Sequence, residues 1–335
     1  MFEWGKQFMR KLFSLAIISS FVVSSAYAIN GSDNSVFFPS KVYITNFANT
    51  TYTQCNVAIN GKINIKSCNV VTPTGATGEL LNSPSGVAFY NQYAYISNAN
   101  NTYTKCDLSF NGIESATCAN VAPQGKGALN GPSSIVFYGK HAFITNANGN
   151  SYTQCDVSPK GVIETATCNT VQPTSESGSL SVPVSLVFSS GNAYFTNYGN
   201  NTLTKCQSDE NGIESDSCKT IKLTLLSEPE TIVFNNGYAY IVNGGNNSYT
   251  QCNANQNGGI TIDSCRNITP TNLGELNAPR GIVFDNAYAY ITNHGNNSLT
   301  RCANTVNGID VTTCKTITPS SSAGLNSPRA IVFFQ

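Results

Sequence analysis

Charge is scarce in this chain of 335 residues: Asp, Glu, Lys and Arg together make up 11% of it, and acids balance bases to a formal net charge of zero. A sequence so composed has no basic face to neutralise phosphates, so nucleic acid is not an expected partner. Histidine occurs only twice and no CxxC pair is present, which removes the common ligand sets for zinc; no metal site and no cofactor are expected. No GxSxG, HExxH or phosphate-cradling glycine loop appears, so no motif assigns a catalytic residue. Beyond residue 28 no apolar run is long enough to cross a bilayer, and no membrane insertion is expected once the first residues are removed.

Those first residues, 1–28, read as a secretory signal. Lys6, Arg10 and Lys11 form a basic start, Leu12 to Val23 a short apolar core, and Ala26-Tyr27-Ala28 a small-residue cleavage site. Losing three basic residues and one acidic residue leaves 15 Lys+Arg against 17 Asp+Glu, a net charge near −2. The mature protein is therefore expected to be secreted or periplasmic. Residues 29–40 form an N-terminal segment, and everything from 41 to 335 reads as one repetitive domain.

The repeat is clearest from Pro279 to Cys314. Residues 281–284 (GIVF) and 287–292 (AYAYIT) are nearly continuous apolar runs rich in β-branched and aromatic residues, the composition of strands buried on both faces. Residues 298–302 and 310–315 read as a third and fourth strand, each more polar than the one before. Asn307-Gly308 marks the hairpin between them, since both residue types tolerate positive φ. Inner strands begin after Pro84, Pro132, Pro183, Pro229, Pro279 and Pro328, at spacings of 48, 51, 46, 50 and 49 residues. The second strand recurs six times, ending at Asn46, Asn98, Asn146, Asn197, Asn243 and Asn293. A four-stranded sheet with two apolar faces cannot hide them alone and must stack on copies of itself. Six copies at this period predict an all-β, six-bladed β-propeller with four antiparallel strands per blade. The first unit opens at a second strand while the sequence stops on a spare inner one, AIVFF (330–334), so the C-terminal strand is expected to join the first blade and close the ring. The competing candidate for that place is SVFF (35–38).

Each unit carries two cysteines: Cys55 and Cys68, Cys106 and Cys118, Cys155 and Cys168, Cys206 and Cys218, Cys252 and Cys265, Cys302 and Cys314. They flank the turn between the third and fourth strands, which brings facing Cα atoms within bridging range. In an exported protein, one disulfide per blade is expected, each contributing at most about 3 kcal/mol by the loop-entropy argument.

PRGIVF and YITNHGNNSLTRC resemble the opening and the second-to-third-strand segment of NHL and YVTN-type β-propeller repeats. The resemblance covers 41–335 and departs from the family at the cysteine of the third strand, where a bulky apolar residue is usual. It implies the fold and leaves the activity open, because such propellers host many functions.

Function is expected where the repeats differ. The residue after each strand-end asparagine is Phe47, Ala99, Ala147, Tyr198, Gly244 or His294, so Phe47, Tyr198 and His294 are candidate ligand-binding residues at the mouth of the axis; ordinary surface variation is the alternative. The residue after each inner-strand proline is Ser85, Ser133, Val184, Glu230, Arg280 or Arg329. Glu230, Arg280 and Arg329 fall on consecutive blades. They could gather two guanidiniums for an anion or an acidic side chain, or form a local ion pair beside a solvated arginine. His141 lies at the opposite end of its strand from His294, so the two cannot share a metal. Glu114, Glu164, Glu214 and Asp310 fall in outer hairpins. The expected function is a non-catalytic scaffold that binds a protein, peptide or glycan through its loop-rich face, the alternative being a lyase or hydrolase with its site at the channel mouth.

Overall fold

A computed structural model describes residues 41–75, 78–173, 178–255, 259–319 and 324–334. The proposed signal and residues 35–38 lie outside that range. Six four-stranded antiparallel sheets follow one another in sequence order. Their inner strands touch in cyclic order, and Pro328–Phe334 lies between Pro279–Phe284 and Pro84–Tyr90. The protein is thus a closed six-bladed β-propeller.

Blade 1 is built from both ends of the described sequence. Lys41–Asn46, Thr51–Asn56 and Asn69–Val71 supply three strands, and Pro328–Phe334 supplies the inner one, with Val42 opposite Phe333 and Ile44 opposite Ile331. Second strands are the most buried in every blade: all but the first residue of each is inaccessible, as their apolar runs require. The core is divided into six packets, each in a seam between neighbouring blades. The packet joining blades 6 and 1 holds Tyr290 and Leu299 together with Val42, Ile44 and Phe333. Hydrophobic burial thus glues blades to one another, which is why no blade stands alone.

Polar bonds tie the same seams. Tyr95 donates from its hydroxyl to the Gly161 carbonyl of the next blade at 2.6 Å. Tyr290 does the same to Gly61 at 2.8 Å, joining blade 6 to blade 1. The backbone N–H of Ile113 donates to the Tyr43 hydroxyl at 3.1 Å. Threonine and serine one residue before the strand-end asparagine add a second tie: Thr45, Ser97, Thr196 and Thr292 each donate to a backbone carbonyl of the following inner strand.

All twelve cysteines pair within their own blade: 55 with 68, 106 with 118, 155 with 168, 206 with 218, 252 with 265 and 302 with 314. The outer strand departs from the sequence expectation. It runs unbroken in blades 4 and 6 (Gly212–Lys222 and Gly308–Ile317), whereas in blades 1, 2, 3 and 5 a one-turn 3₁₀ segment precedes a strand of three residues. In every blade the residue before the second cysteine is Ser or Thr, and its hydroxyl accepts from the backbone N–H just after the first cysteine. That bond and the disulfide fix the place where the regular ladder is interrupted. At the hairpin tip of blade 6, Gly308 takes the positive φ (+100°) and Asn307 does not.

The residue before each inner-strand proline also takes a left-handed conformation: Ser83, Gly131, Val182, Glu228, Ala278 and Ser327, with φ between +42° and +64°. A β-branched side chain is poorly suited to it. Replacing Val182 by Gly is therefore expected to raise stability by about 1 kcal/mol, strain relief exceeding the added backbone entropy, as read from the urea midpoint.

Among the described residues nine tyrosines are fully buried, and burial pushes the hydroxyls of Tyr43, Tyr194 and Tyr290 up to about 12 from an ordinary 10.0. Between those values the unfolded protein loses protons that the folded protein keeps, so stability falls as pH rises. Arg329, whose guanidinium is shifted down, works in the opposite sense and is outnumbered. Stability should be flat in this respect below pH 10 and decline from about 10 to 12, with tyrosinate absorbance appearing together with loss of the strand signal in circular dichroism.

Candidate functional site

The inner strands line a central channel that is partly open to solvent. At one end the inner strands begin and the second-to-third-strand loops turn, so the residues after the proline and after the strand-end asparagine share one rim.

The asparagines themselves are structural. Asn98 is fully buried and donates from its amide nitrogen to Thr102 Oγ1 at 3.1 Å and Thr104 Oγ1 at 2.8 Å, while its oxygen accepts from the Asn82 backbone at 3.2 Å. The same arrangement surrounds the other strand-end asparagines. Farther along the loop, Asn101, Asn150, Asn201, Asn247 and Asn297 adopt φ between +49° and +65° and accept from the residue before the next blade's proline. That residue's carbonyl accepts the N–H of Phe47, Ala147, Tyr198, Gly244 or His294 in its own blade. The frame is uniform, and side chains vary only where it leaves room.

Blades 4 to 6 and blade 1 place their variable residues in contact. Glu230 is buried and forms an ion pair with Arg280. Arg280 also lies 5.8 Å from the centre of the Tyr198 ring. Gly244 lies beside the pair: a Cβ there would be 3.2 Å from Arg280 Nη1 and 3.5 Å from Glu230 Cγ, a close but not forbidden fit. Arg329 is not part of this pair. Its guanidinium sits 3.9 Å from the centre of the Phe47 ring and donates from Nη1 to Ser85 Oγ at 3.1 Å. Phe47 in turn meets His294, with ring centres 6.1 Å apart. Of the two sequence readings for the charged trio, the ion pair forms between Glu230 and Arg280, and Arg329 is held against protein instead of standing in solvent.

Burial, then the charge of Arg280, lowers the Arg329 guanidinium to about 10, with Tyr198 opposing. Burial also pulls the His294 imidazole below its usual range, helped by Arg280 and Arg329 and opposed by a hydrogen bond to the Ser327 backbone. Arg280 Nε, Arg329 Nε and His294 Nδ1 are buried without hydrogen-bond partners. The site is thus a half-buried cluster of two guanidiniums, one imidazole and one paired carboxylate, spanning blades 5, 6 and 1. The other side of the rim carries Ala99, Ala147, Ser133 and Val184. Ser85 and Gly244 were visible in the sequence only as positions that vary; their contacts depend on residues of other blades.

His141 lies at the other end of the channel axis, 2.9 Å from Asp156. Among the described residues, no group of three His, Cys, Asp or Glu side chains could hold a metal ion, and no helix is long and apolar enough to cross a membrane.

No protein-family model matches the sequence, and no curated protein matches it either. Solved structures do share its fold. A polypeptide in a nidogen–laminin complex aligns over 88% of this protein and 98% of its own length, with a TM-score of 0.62 and 14% identity. A putative 6-phosphogluconolactonase from Bacteroides uniformis aligns over 87% and 84%, with a TM-score of 0.56 and 15% identity. The periplasmic gluconolactonase PpgL of Pseudomonas aeruginosa aligns over 88% and 99%, with a TM-score of 0.54 and 11% identity. The alignments show a shared β-propeller fold, and identities this low carry the likeness no further.

Removing the acid of the ion pair should expose its role. Glu230→Gln leaves Arg280 buried without a counter-charge, and a loss of about 3 kcal/mol in denaturant unfolding is expected. The double variant Glu230→Gln/Arg280→Met should recover much of it.

Proposed function

We propose that the protein is an exported, non-catalytic propeller of the NHL/YVTN type, secreted or periplasmic, that binds another polypeptide through the rim built by Phe47, Tyr198, Glu230, Arg280, His294 and Arg329. The observation that carries this reading is the contrast between an invariant frame and one variable patch. Asparagine, threonine and tyrosine recur from blade to blade and are consumed by the seams. The side chains that differ converge on one half of one rim, beside small residues that leave the other half open. Six disulfides fit an oxidising compartment.

A polypeptide suits the rim better than a glycan. Sugar rings stack on free aromatic faces, and here Phe47 and Tyr198 each have an arginine over the ring. Catalysis is the second reading, and the position of His294 on the mouth of a fold shared with gluconolactonases favours it. Against it, Glu230 is held in an ion pair with Arg280 and is not free to take an acid or base role. A stoichiometric divalent ion in purified protein would turn the balance toward a lyase or hydrolase.

Capture from the native envelope or medium tests the reading. The mature protein should retain a partner that Tyr198→Ala/His294→Ala loses and Phe110→Ser, altered at an exposed hairpin tip away from the rim, keeps. Equal capture by all three proteins would contradict it.

A further inference from the structure

We infer that Arg329 is the anchor for a single carboxylate of the polypeptide partner, with the Glu230–Arg280 pair acting as a fixed wall and not as a second anion site. This assignment rests on the scaffold reading and specifies its chemistry.

The charges at the rim are unequal in what they have left to offer. Arg280 is matched by Glu230. Arg329 has no carboxylate partner among the described residues; it has only a ring face and one serine hydroxyl. Neither neutralises it, and Arg280 repels it. A partly buried guanidinium in that state gains more from an incoming anion than a solvated one, because much of its desolvation has already occurred on folding. Its orientation is also set in advance: Phe47 holds one face of the plane, and Ser85 of blade 2 holds Nη1. Nε is enclosed, so the N–H groups left on the two Nη atoms are the ones to meet the oxygens of a carboxylate.

Glu230 answers Arg280, which leaves the Arg329 guanidinium as the rim cation without a carboxylate of its own among the described residues. An acidic side chain and the terminal carboxylate of a peptide both supply the required group.

The test uses the full mature protein and four probes: N-acetylglycine, N-acetylaspartic acid α-amide, and the neutral amide of each. One or both acids should bind at least ten-fold more tightly than the matching amide, and the tighter acid identifies the source of the carboxylate. Arg329→Gln should abolish the preference, Arg329→Lys should retain part of it, and Ser85→Ala should weaken it about three-fold. If Arg329→Gln fails to fold, the Nε–H resonance of Arg329 in the wild-type protein must move with the acids and not with the amides. Equal binding of acids and amides, a preference that survives in Arg329→Gln, an unmoved Arg329 resonance, or tighter binding of D-glucuronate than of either acid would overturn the assignment. Partner capture that persists without any acid preference removes this inference alone. Acid binding without partner capture removes the scaffold reading and the polypeptide with it, and leaves Arg329 as a carboxylate site.

Discussion

Everything at the rim depends on a buried asparagine carboxamide. Each blade ends its second strand with one, and each carboxamide uses its nitrogen on two hydroxyls of the third strand and its oxygen on a backbone N–H two residues before the inner-strand proline. Several polar groups that would otherwise be orphaned are satisfied at once, so an apolar substitute would leave them buried and unpaired. In blade 1 the same bond joins the two ends of the sequence, with Asn326 donating to Asn46. The ring is thus closed by the same device that shapes each loop.

This constraint separates scaffold from site. Because the loop backbone is fixed by asparagine and by the left-handed residue before proline, the residues that follow the asparagine and the proline can vary without disturbing the fold. Blades 2 and 3 leave them small. Blades 5, 6 and 1 fill them with Glu230, Arg280, His294, Arg329 and Phe47, and blade 5 has Gly244 beside the ion pair. A charged cluster at the mouth is costly to bury, and the seams are already bound by apolar packets and tyrosine hydroxyls. The ligand role proposed for it would account for its presence.

Much of the fold was legible in one sequence because period, proline, asparagine and paired cysteine repeat in register. The six-blade count, the closing strand and the disulfide pairing all follow from that repetition. The 3₁₀ turns before Cys68, Cys118, Cys168 and Cys265 did not, although a hydroxyl residue precedes the second cysteine of every pair and was there to be read. The rim was legible as a set of varying positions but not as contacts. Which arginine Glu230 would choose, and that Phe47 would take the other, depends on the angle between blades, and no local pattern encodes that angle. Ser85 meets Arg329 across 244 positions of sequence.

Hydrogen exchange at the six equivalent amides of Asn82, Asn130, Ser181, Ser227, Asn277 and Asn326, each of which donates to a buried asparagine, tests this account most directly. A ring closed by the same bond in every blade requires the Asn326 amide to be as protected as the other five. Exchange at Asn326 orders of magnitude faster than at the rest would mean that blade 1 opens on its own, and the rim built on it would not be a fixed site.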